Sequence, residues 1–380
     1  MRKLEEVRKD IDAIDDQMSE LFFKRMNLSK EVAEIKAIND IPVTDNGRER
    51  EIVYRLSKKL PEEYSLYLKE FYETVFFTGK AYQSAVMNST SETVKKLNEI
   101  ISSGLKNFPS TATIACQGVL GANSGTAAKK LFAISDLTFV KSFEGVFSAV
   151  QSGLCEYGVL PIENSTAGSV LEVYDLMRKH DFHIVRSVRI KIRHCLASNA
   201  KASFKDIKTV ISHPQAILQC DDFIKSNNLT AETDENTAVA AKRVSSGNDL
   251  SVAAICSEEC AKIYGLKILK TDIQNNDANF TRFICIKKDL NVFKGADRIS
   301  VMTSLSHEPG SLNKILGRFS ALGLNLTKIE SRPIAGADFE FMFYFDFEGD
   351  ITDKSVQNLI ASMENQSENF VFLGAYKEII

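Results

Sequence analysis

The 380-residue chain is long enough for two or three domains, and its 44% apolar and 26% charged content is that of an ordinary globular protein. A formal net charge of -3 leaves no electrostatic footprint for nucleic acid, and no run reaches the roughly 18 apolar residues that a membrane span requires. Seven cysteines without a C-x-x-C pair, and an N-terminus that enters a charged helix directly, predict a cytoplasmic chain with no metal.

Leu4, Val7, Ile11, Ile14, Met18, Leu21, Arg25, Leu28, Val32 and Ile35 follow one another at spacings of three and four, a heptad seam that predicts one long helix. Arg25 holds a position that packing alone would give to leucine. A buried guanidinium is costly unless an anion meets it, so either a negatively charged ligand or a neighbouring Asp or Glu belongs there, or the side chain snorkels to solvent. Lys36 shares nearly the same face at roughly 16 Å along the axis, so the two side chains could grip one small dianion. Arg8 lies about 26 Å from Arg25 and can join such a site only from another helix or another chain. So long an apolar stripe also predicts a dimer.

Pro42 and Gly47 mark a break, and a second helix runs from Arg48 to Leu60. Pro61 opens a third, with Tyr64, Leu68, Phe71, Val75 and the Ala81–Ala85 stretch. Residues 1–87 thus read as all-helical, and the polar stretch 88–110 as a linker containing some helix. From Thr111 the period shortens. TIACQG, LTFV, YGVLPIE, IKTVISHP, VAAICS and RFICIKK alternate with helical patterns, predicting an α/β region over 111–290 with a largely buried sheet. Residues 298–380 read as strand RISVMTSLS, a helix after Pro309, strand LNLTKIESRP, strand FEFMFYFDF, helix TDKSVQNLIASME and strand FVFLGAYK. That order is the α+β ferredoxin-like βαββαβ arrangement.

Arg8 in LEEVRKDIDAID, Arg25 in LFFKRMNLS, Lys36 in EVAEIKA and the run PVTDNGRER (42–50) resemble the helical chorismate mutase family residue by residue. The resemblance implies that Arg25, with Arg8 of a partner chain, holds the two carboxylates of chorismate while Arg48 supports a carboxylate. Lys36 and Gln83 would donate to the ether oxygen, and Glu49 and Asp45 would hold the ring hydroxyl or its surroundings. The rearrangement is pericyclic, so it needs a held conformer and stabilised charge rather than a nucleophile. Gly79 stands where the family often has serine.

GVLGANSG (118–125), YGVLPIENSTAG (157–168), HCL (194–196), SHPQA (212–216) and NFTRF (279–283) are each weak signals, but in this order they resemble prephenate dehydratase. The resemblance implies a two-lobed α/β domain. Thr281, whose hydroxyl is too weakly acidic to be a strong acid, would act as a hydrogen-bond donor or proton relay to the departing hydroxide. Arg282 and the turn formed by Glu163, Asn164, Ser165 and Gly168 would anchor carboxylates, with Ser212, His213 and Gln215 also in the substrate site. A structural salt bridge is the alternative for Arg282. Asn123 replaces an aromatic residue usual in the family.

PGSL (309–312) and ESRP (330–333) resemble an ACT domain of the phenylalanine-responsive kind. The resemblance implies an allosteric phenylalanine site built from Gly310, Ser311, Leu312, Glu330, Ser331, Arg332 and Pro333, with Gly310 allowing close backbone approach. A structural dimerisation module is the alternative. The expectation as a whole is a bifunctional enzyme that converts chorismate to prephenate and prephenate to phenylpyruvate, inhibited by phenylalanine. It would use no cofactor, bind no nucleic acid or membrane, and form a homodimer or tetramer. One alternative is a middle domain acting on arogenate. Another is a non-catalytic amino-acid-sensing regulator with a helical dimerisation domain, against which Arg25, Lys36, Gln83 and Thr281 argue.

Overall fold

The computed structural model describes all residues except 1, 40, 42, 44, 88–90, 306, 307, 309 and 335–340. Pro42 and Pro309, expected to mark element boundaries, lie outside the described residues. Helix α1 (Leu4–Asn39) has Glu5 and Glu6 in its first turn and Lys36 in its last, in accord with the helix dipole. Helix α2 (Asn46–Ser57) starts on Asp45, whose carboxylate accepts from Arg48 N, and α3 (Ser65–Met87) follows a short 3-10 turn at Glu62–Tyr64.

The apolar seam of α1 is left uncovered by the rest of the chain, as a seam expected to be covered by a second chain would be: Leu21 is 64% exposed and Ile35 58%, whereas the buried residues of α1 are Ser29 and Ala33. Helix α3 packs on that small-residue stripe. Arg25, about 40° from both Leu21 and Ser29 around the helix, stands at the border between stripe and seam.

Helix α4 (Glu92–Ser102) occupies the stretch expected as a linker. Ser91 caps it, and Leu97 is fully buried against Val292, Phe319 and Phe345. The polar composition there is the solvent face of an amphipathic helix.

The α/β region has two lobes. The first comprises β1 (Thr111–Gln117), α5 (Asn123–Leu131), β2 (Ile134–Val140), α6 (Phe143–Gln151), β3 (Tyr157–Asn164), the short β4 (Gly168–Ser169), α7 (Leu171–Lys179) and β5 (His183–Lys191). The chain then crosses to the second lobe: β6 (Cys195–Ser198), β7 (Thr209–Ser212), α8 (Pro214–Gln219), α9 (Asp221–Ser226), β8 (Thr230–Thr233), α10 (Thr237–Ser246), β9 (Val252–Cys256), α11 (Glu258–Ile263) and β10 (Lys267–Lys270). It returns through β11 (Phe280–Lys287), which inserts antiparallel between β3 and β5. The second lobe has its own five-stranded sheet, ordered β10-β6-β9-β7-β8. Two crossings between lobes place a cleft between them.

The last unit is β12 (Arg298–Ser304), α12 (Ser311–Ala321), β13 (Leu326–Pro333), β14 (Phe341–Glu348), α13 (Lys354–Gln366) and β15 (Phe370–Ile379), in βαββαβ order. Strand β15 pairs parallel with β5, so a single sheet runs β13-β14-β12-β15-β5-β11-β3-β1-β2. The join depends on Gly374, at φ +149°, where any side chain would run into the Ile184 carbonyl.

A buried ion cluster seals the join. Arg282 pairs with the fully buried Asp346 and, at 2.8 Å, with Glu163, while Glu378 lies 2.9 Å from Arg189 and 3.2 Å from Arg298. Removing one partner of such a pair strands the other charge. Asp346→Asn is therefore expected to cost about 3 kcal/mol of stability, read as the midpoint of denaturant unfolding. An unchanged midpoint would remove the cluster from the account of the fold.

Two candidate active sites

The first site lies where α1, α2 and α3 meet. Arg25 Nη1 donates to the Val75 carbonyl at 3.3 Å, and its guanidinium carbon lies 5.9 Å from the centre of the Phe76 ring. Burial lowers the Arg25 pKa from its ordinary value, and Tyr72 and Glu49 partly offset that. Gly79 gives the guanidinium its room, since a Cβ there would sit 3.0 Å from Nη1. A side chain at position 79 would press on the guanidinium tip, which would have to shift by a few tenths of an ångström. Glu49 pairs with Lys80 at 2.8 Å, and among the described residues Gln83 Oε1 is buried without a hydrogen-bond partner.

Other expected members lie differently. Lys36 Nζ donates to Val43 O at 2.7 Å, tying the end of α1 to the turn before α2 instead of leaning toward Arg25. Asp45 serves as the cap of α2, and Arg48 pairs on the surface with Glu51 at 2.7 Å. Arg8 is exposed on α1.

The second site lies at the two lobe crossings. Thr281 on β11 and Asn164 on β3 are directly opposed in register, as are Arg282 and Glu163 one step along. Consecutive strand residues face opposite ways, so these pairs project from opposite faces of the sheet. On the cleft face, Asn164 Nδ2 donates to Thr281 Oγ1 at 2.9 Å and to Asn279 Oδ1 at 2.8 Å, while Asn164 Oδ1 accepts from Thr166 Oγ1 and from the Thr166 and Ala167 amides. Ser165 closes the turn, accepting from Phe280 N and donating to Ala278 O, both at 2.9 Å. Gly168, at φ +83°, has open space where a side chain would begin.

The second lobe reaches this network through Gln219. Its Oε1 accepts from Asn279 at 3.0 Å and from His194 Nε2 at 2.9 Å, and its amide nitrogen donates to Thr166 Oγ1 at 3.2 Å. Because an amide oxygen only accepts, the His194 proton sits on Nε2. Burial lowers the His194 pKa, with the Gln219 hydrogen bond opposing, and burial likewise lowers that of His183. Each imidazole therefore takes a proton more readily in the unfolded chain, so stability held near neutral pH is lost as pH falls below about 6.5. The melting temperature is expected to fall from pH 6.5 to 5, with a shallower slope in His194→Gln. Equal slopes in the two proteins would sink this attribution.

Several expected substrate contacts have partners within the protein. Arg282 is buried against Asp346 and Glu163, on the opposite face of the sheet from Thr281, an arrangement in line with the salt-bridge alternative. Burial alone would lower its pKa, but Asp346, Tyr376, Tyr344 and Glu163 raise it well above the ordinary value. Glu163, on the same face, is turned toward Lys328, at 3.0 Å. Ser212 is fully buried and donates to Ile255 O at 2.7 Å, a bond within the second-lobe core. His213 caps α8, its Nδ1 accepting from Gln215 N at 3.2 Å, and Gln215 is half-buried. Asn123 opens α5 after the glycine loop.

Sequence reasoning gave no role to Gln219 or Lys80, nor to Thr166 and Asn279, although these two lie within its motifs. Gln219 had a usable signal, because Gln215 and Gln219 lie four apart on the short helix α8 and so share a face.

The ESRP strand contacts the first lobe. Glu330 hydrogen-bonds Ser169, next to Gly168, and Arg332 makes a two-pronged contact with Asp175 at 2.7 and 3.2 Å. Gly310 adopts the left-handed conformation, φ +85°, at the start of α12, followed there by Ser311 and Leu312, while Ser331 and Pro333 are exposed on β13.

Residues 7–84 match the chorismate mutase type II family, and residues 114–291 match the prephenate dehydratase family. The bifunctional chorismate mutase/prephenate dehydratase of Escherichia coli strain K12 is 30% identical over 383 residues, covering 97% of this chain and 95% of that protein. The arogenate dehydratase/prephenate dehydratase 2 of Arabidopsis thaliana is 38% identical over 293 residues, covering 74% of this chain and 75% of that one. Among solved structures, prephenate dehydratase in complex with L-Phe from Arthrobacter aurescens is 29% identical with a TM-score of 0.64, covering 70% of this chain and 89% of that one. With two family matches in series and a relative of the same arrangement along its whole length, the chain belongs to the bifunctional chorismate mutase/prephenate dehydratase family.

Proposed function

We propose that the two activities of this family member reside in the two sites described above, chorismate rearranging in the helical unit and prephenate losing water and carbon dioxide in the cleft. The observation that carries the second assignment is the opposed Thr281 and Asn164 pair at the lobe crossing. Thr281 Oγ1 accepts from Asn164, so its own proton is left to donate to the ring hydroxyl of prephenate. The electron pair of the breaking carbon–carboxylate bond enters the ring as hydroxide departs. The hydroxide takes up a proton that Thr281 passes on from solvent and so leaves as water, and the aromatic ring supplies the driving force. Thr281 assists as a donor and ends the step with its proton restored.

In the helical unit, Arg25 holds a carboxylate of chorismate, and Gln83 and Lys36 donate to the ether oxygen as negative charge develops there. Lys36 uses one of its three N–H donors on Val43 O, which leaves two for the substrate. Glu49 accepts from the ring hydroxyl, while Asp45 and Arg48 shape the neighbouring turn. The exposed seam of α1 supports a homodimer, because an apolar stripe along 36 residues needs cover. Arg8 of the partner subunit then completes the pocket. A pair of such dimers would be a tetramer.

Residues 298–380 act as an ACT regulatory domain. Phenylalanine binds near Gly310, Ser311 and Leu312, where backbone amides at the start of α12 can meet a carboxylate, and Glu330 and Arg332 connect that unit to the first lobe. The cytoplasm is the expected compartment; among the described residues no helix is long and apolar enough to cross a membrane, and all seven cysteines are free and buried. The likeness to an arogenate dehydratase/prephenate dehydratase favours a second reading, in which the cleft also accepts arogenate.

Supplying chorismate to the full chain and following prephenate and phenylpyruvate, with and without phenylalanine, tests the proposal. Both products are expected in sequence, the second suppressed by phenylalanine. Prephenate that accumulates unchanged would overturn the cleft assignment, and insensitivity to phenylalanine would overturn the regulatory one. Faster turnover of arogenate than of prephenate would establish the second reading.

A further inference from the structure

The helical unit contains a cation that the assignments above leave without a task. Lys80 lies on α3 between Gly79, which makes room for Arg25, and Gln83, whose buried amide oxygen has no partner among the described residues. Its ammonium is 2.8 Å from Glu49 Oε1, and the two side chains are only 21% and 25% exposed. An ion pair on an open surface contributes little, and a partly buried one must offset desolvation and the ordering of two long side chains. This pair bridges α2 and α3 at the wall of the pocket. It engages one oxygen of a carboxylate whose other oxygen is left to accept a hydrogen bond.

We propose that Lys80 is a positioning residue for the rearrangement: it grips Glu49 Oε1 so that Oε2 is presented to the ring hydroxyl of the substrate. The inference rests on the assignment of Glu49 to that hydroxyl. Lys80 acts through Glu49 and need not touch the substrate. Its ammonium also adds a positive charge to a site that receives a dianion, which favours holding Glu49 there beside two incoming carboxylates.

The test is steady-state chorismate turnover by the full chain and its Lys80→Met, Lys80→Arg, Glu49→Gln and double Lys80→Met/Glu49→Gln variants, with prephenate turnover measured on the same preparations. Lys80→Met is expected to lower kcat about tenfold while KM for chorismate moves less than about threefold. Lys80→Arg should retain more than about half of kcat. The double variant should be no slower than Glu49→Gln alone, because a residue acting through Glu49 has nothing left to position. Prephenate turnover should be unchanged throughout. Multiplying losses in the double variant, a rise in KM alone, or a parallel loss of prephenate turnover in Lys80→Met would each overturn the positioning role. If Glu49→Gln is slow and Lys80→Met is not, Lys80 is excluded while the Glu49 assignment survives. If Glu49→Gln turns over chorismate at the parent rate, the underlying assignment itself fails.

Discussion

Replacing Arg25 by alanine is expected to lower chorismate turnover by about a thousandfold and to leave prephenate dehydration unchanged. The guanidinium is held by the Val75 carbonyl and the Phe76 ring, in space that Gly79 leaves open. Among the described residues the neighbouring cations have other tasks: Lys36 Nζ lies on Val43 O and is assigned to the ether oxygen, and Lys80 is paired with Glu49. Arg25→Lys should recover little of the lost rate, since a point charge on a flexible stem cannot reproduce a planar fork of donors facing a carboxylate. The cleft takes no residue from α1, which is why its rate should not move. The measurement is kcat/KM for each substrate on one preparation. An Arg25→Ala protein within about threefold of the parent on chorismate would remove Arg25 from the site.

The second large effect is expected at Thr281. Thr281→Val keeps the branched shape that the strand prefers and removes the hydroxyl, so prephenate turnover should fall on the order of a hundredfold or more with little change in KM. Thr281→Ser, which keeps the donor, should retain most of the rate. Asn164→Ala should resemble Thr281→Val, because Asn164 orients that hydroxyl and also holds Asn279 and the Thr166 turn. Chorismate turnover by all three variants is the internal control. Full prephenate turnover by Thr281→Val would mean that hydroxide leaves without this donor, and the cleft chemistry would need another one.

Some features of both sites were legible in the chain and others were not. The anomaly of a charged residue in an apolar heptad drew attention to Arg25 as a candidate site residue, and the length of the seam implied that it needs cover from outside the chain. Within the chain that seam is exposed, and Arg25 turns toward α3 through the Ser29 and Ala33 stripe. The NFTRF run marked β11 as important yet could not say which of its residues faces the cleft. Thr281 meets Asn164, while Arg282 goes to Asp346, 64 residues away in sequence and on a strand of the last unit. Ser212 looked like a binding hydroxyl from its motif, whereas only the structure shows its hydroxyl donating to Ile255 O on a neighbouring strand. Gln219 escaped notice because its importance comes from meeting His194, Asn279 and Thr166, which arrive from three separate segments.

By itself the sequence determined the kinds of element and their order. It contained the helical first unit, the α/β region with buried strands, the βαββαβ end and the short motif runs, because each of these is encoded in local periodicity and local residue chemistry. Only the tertiary structure decided which face each motif residue occupies, where the two lobes close on Gln219, and that β15 joins β5 into one sheet. The reason is physical: neighbouring strand residues point to opposite faces, so a motif one residue wide serves two environments. What those environments are depends on pairings between segments far apart in the chain, and no local pattern records them.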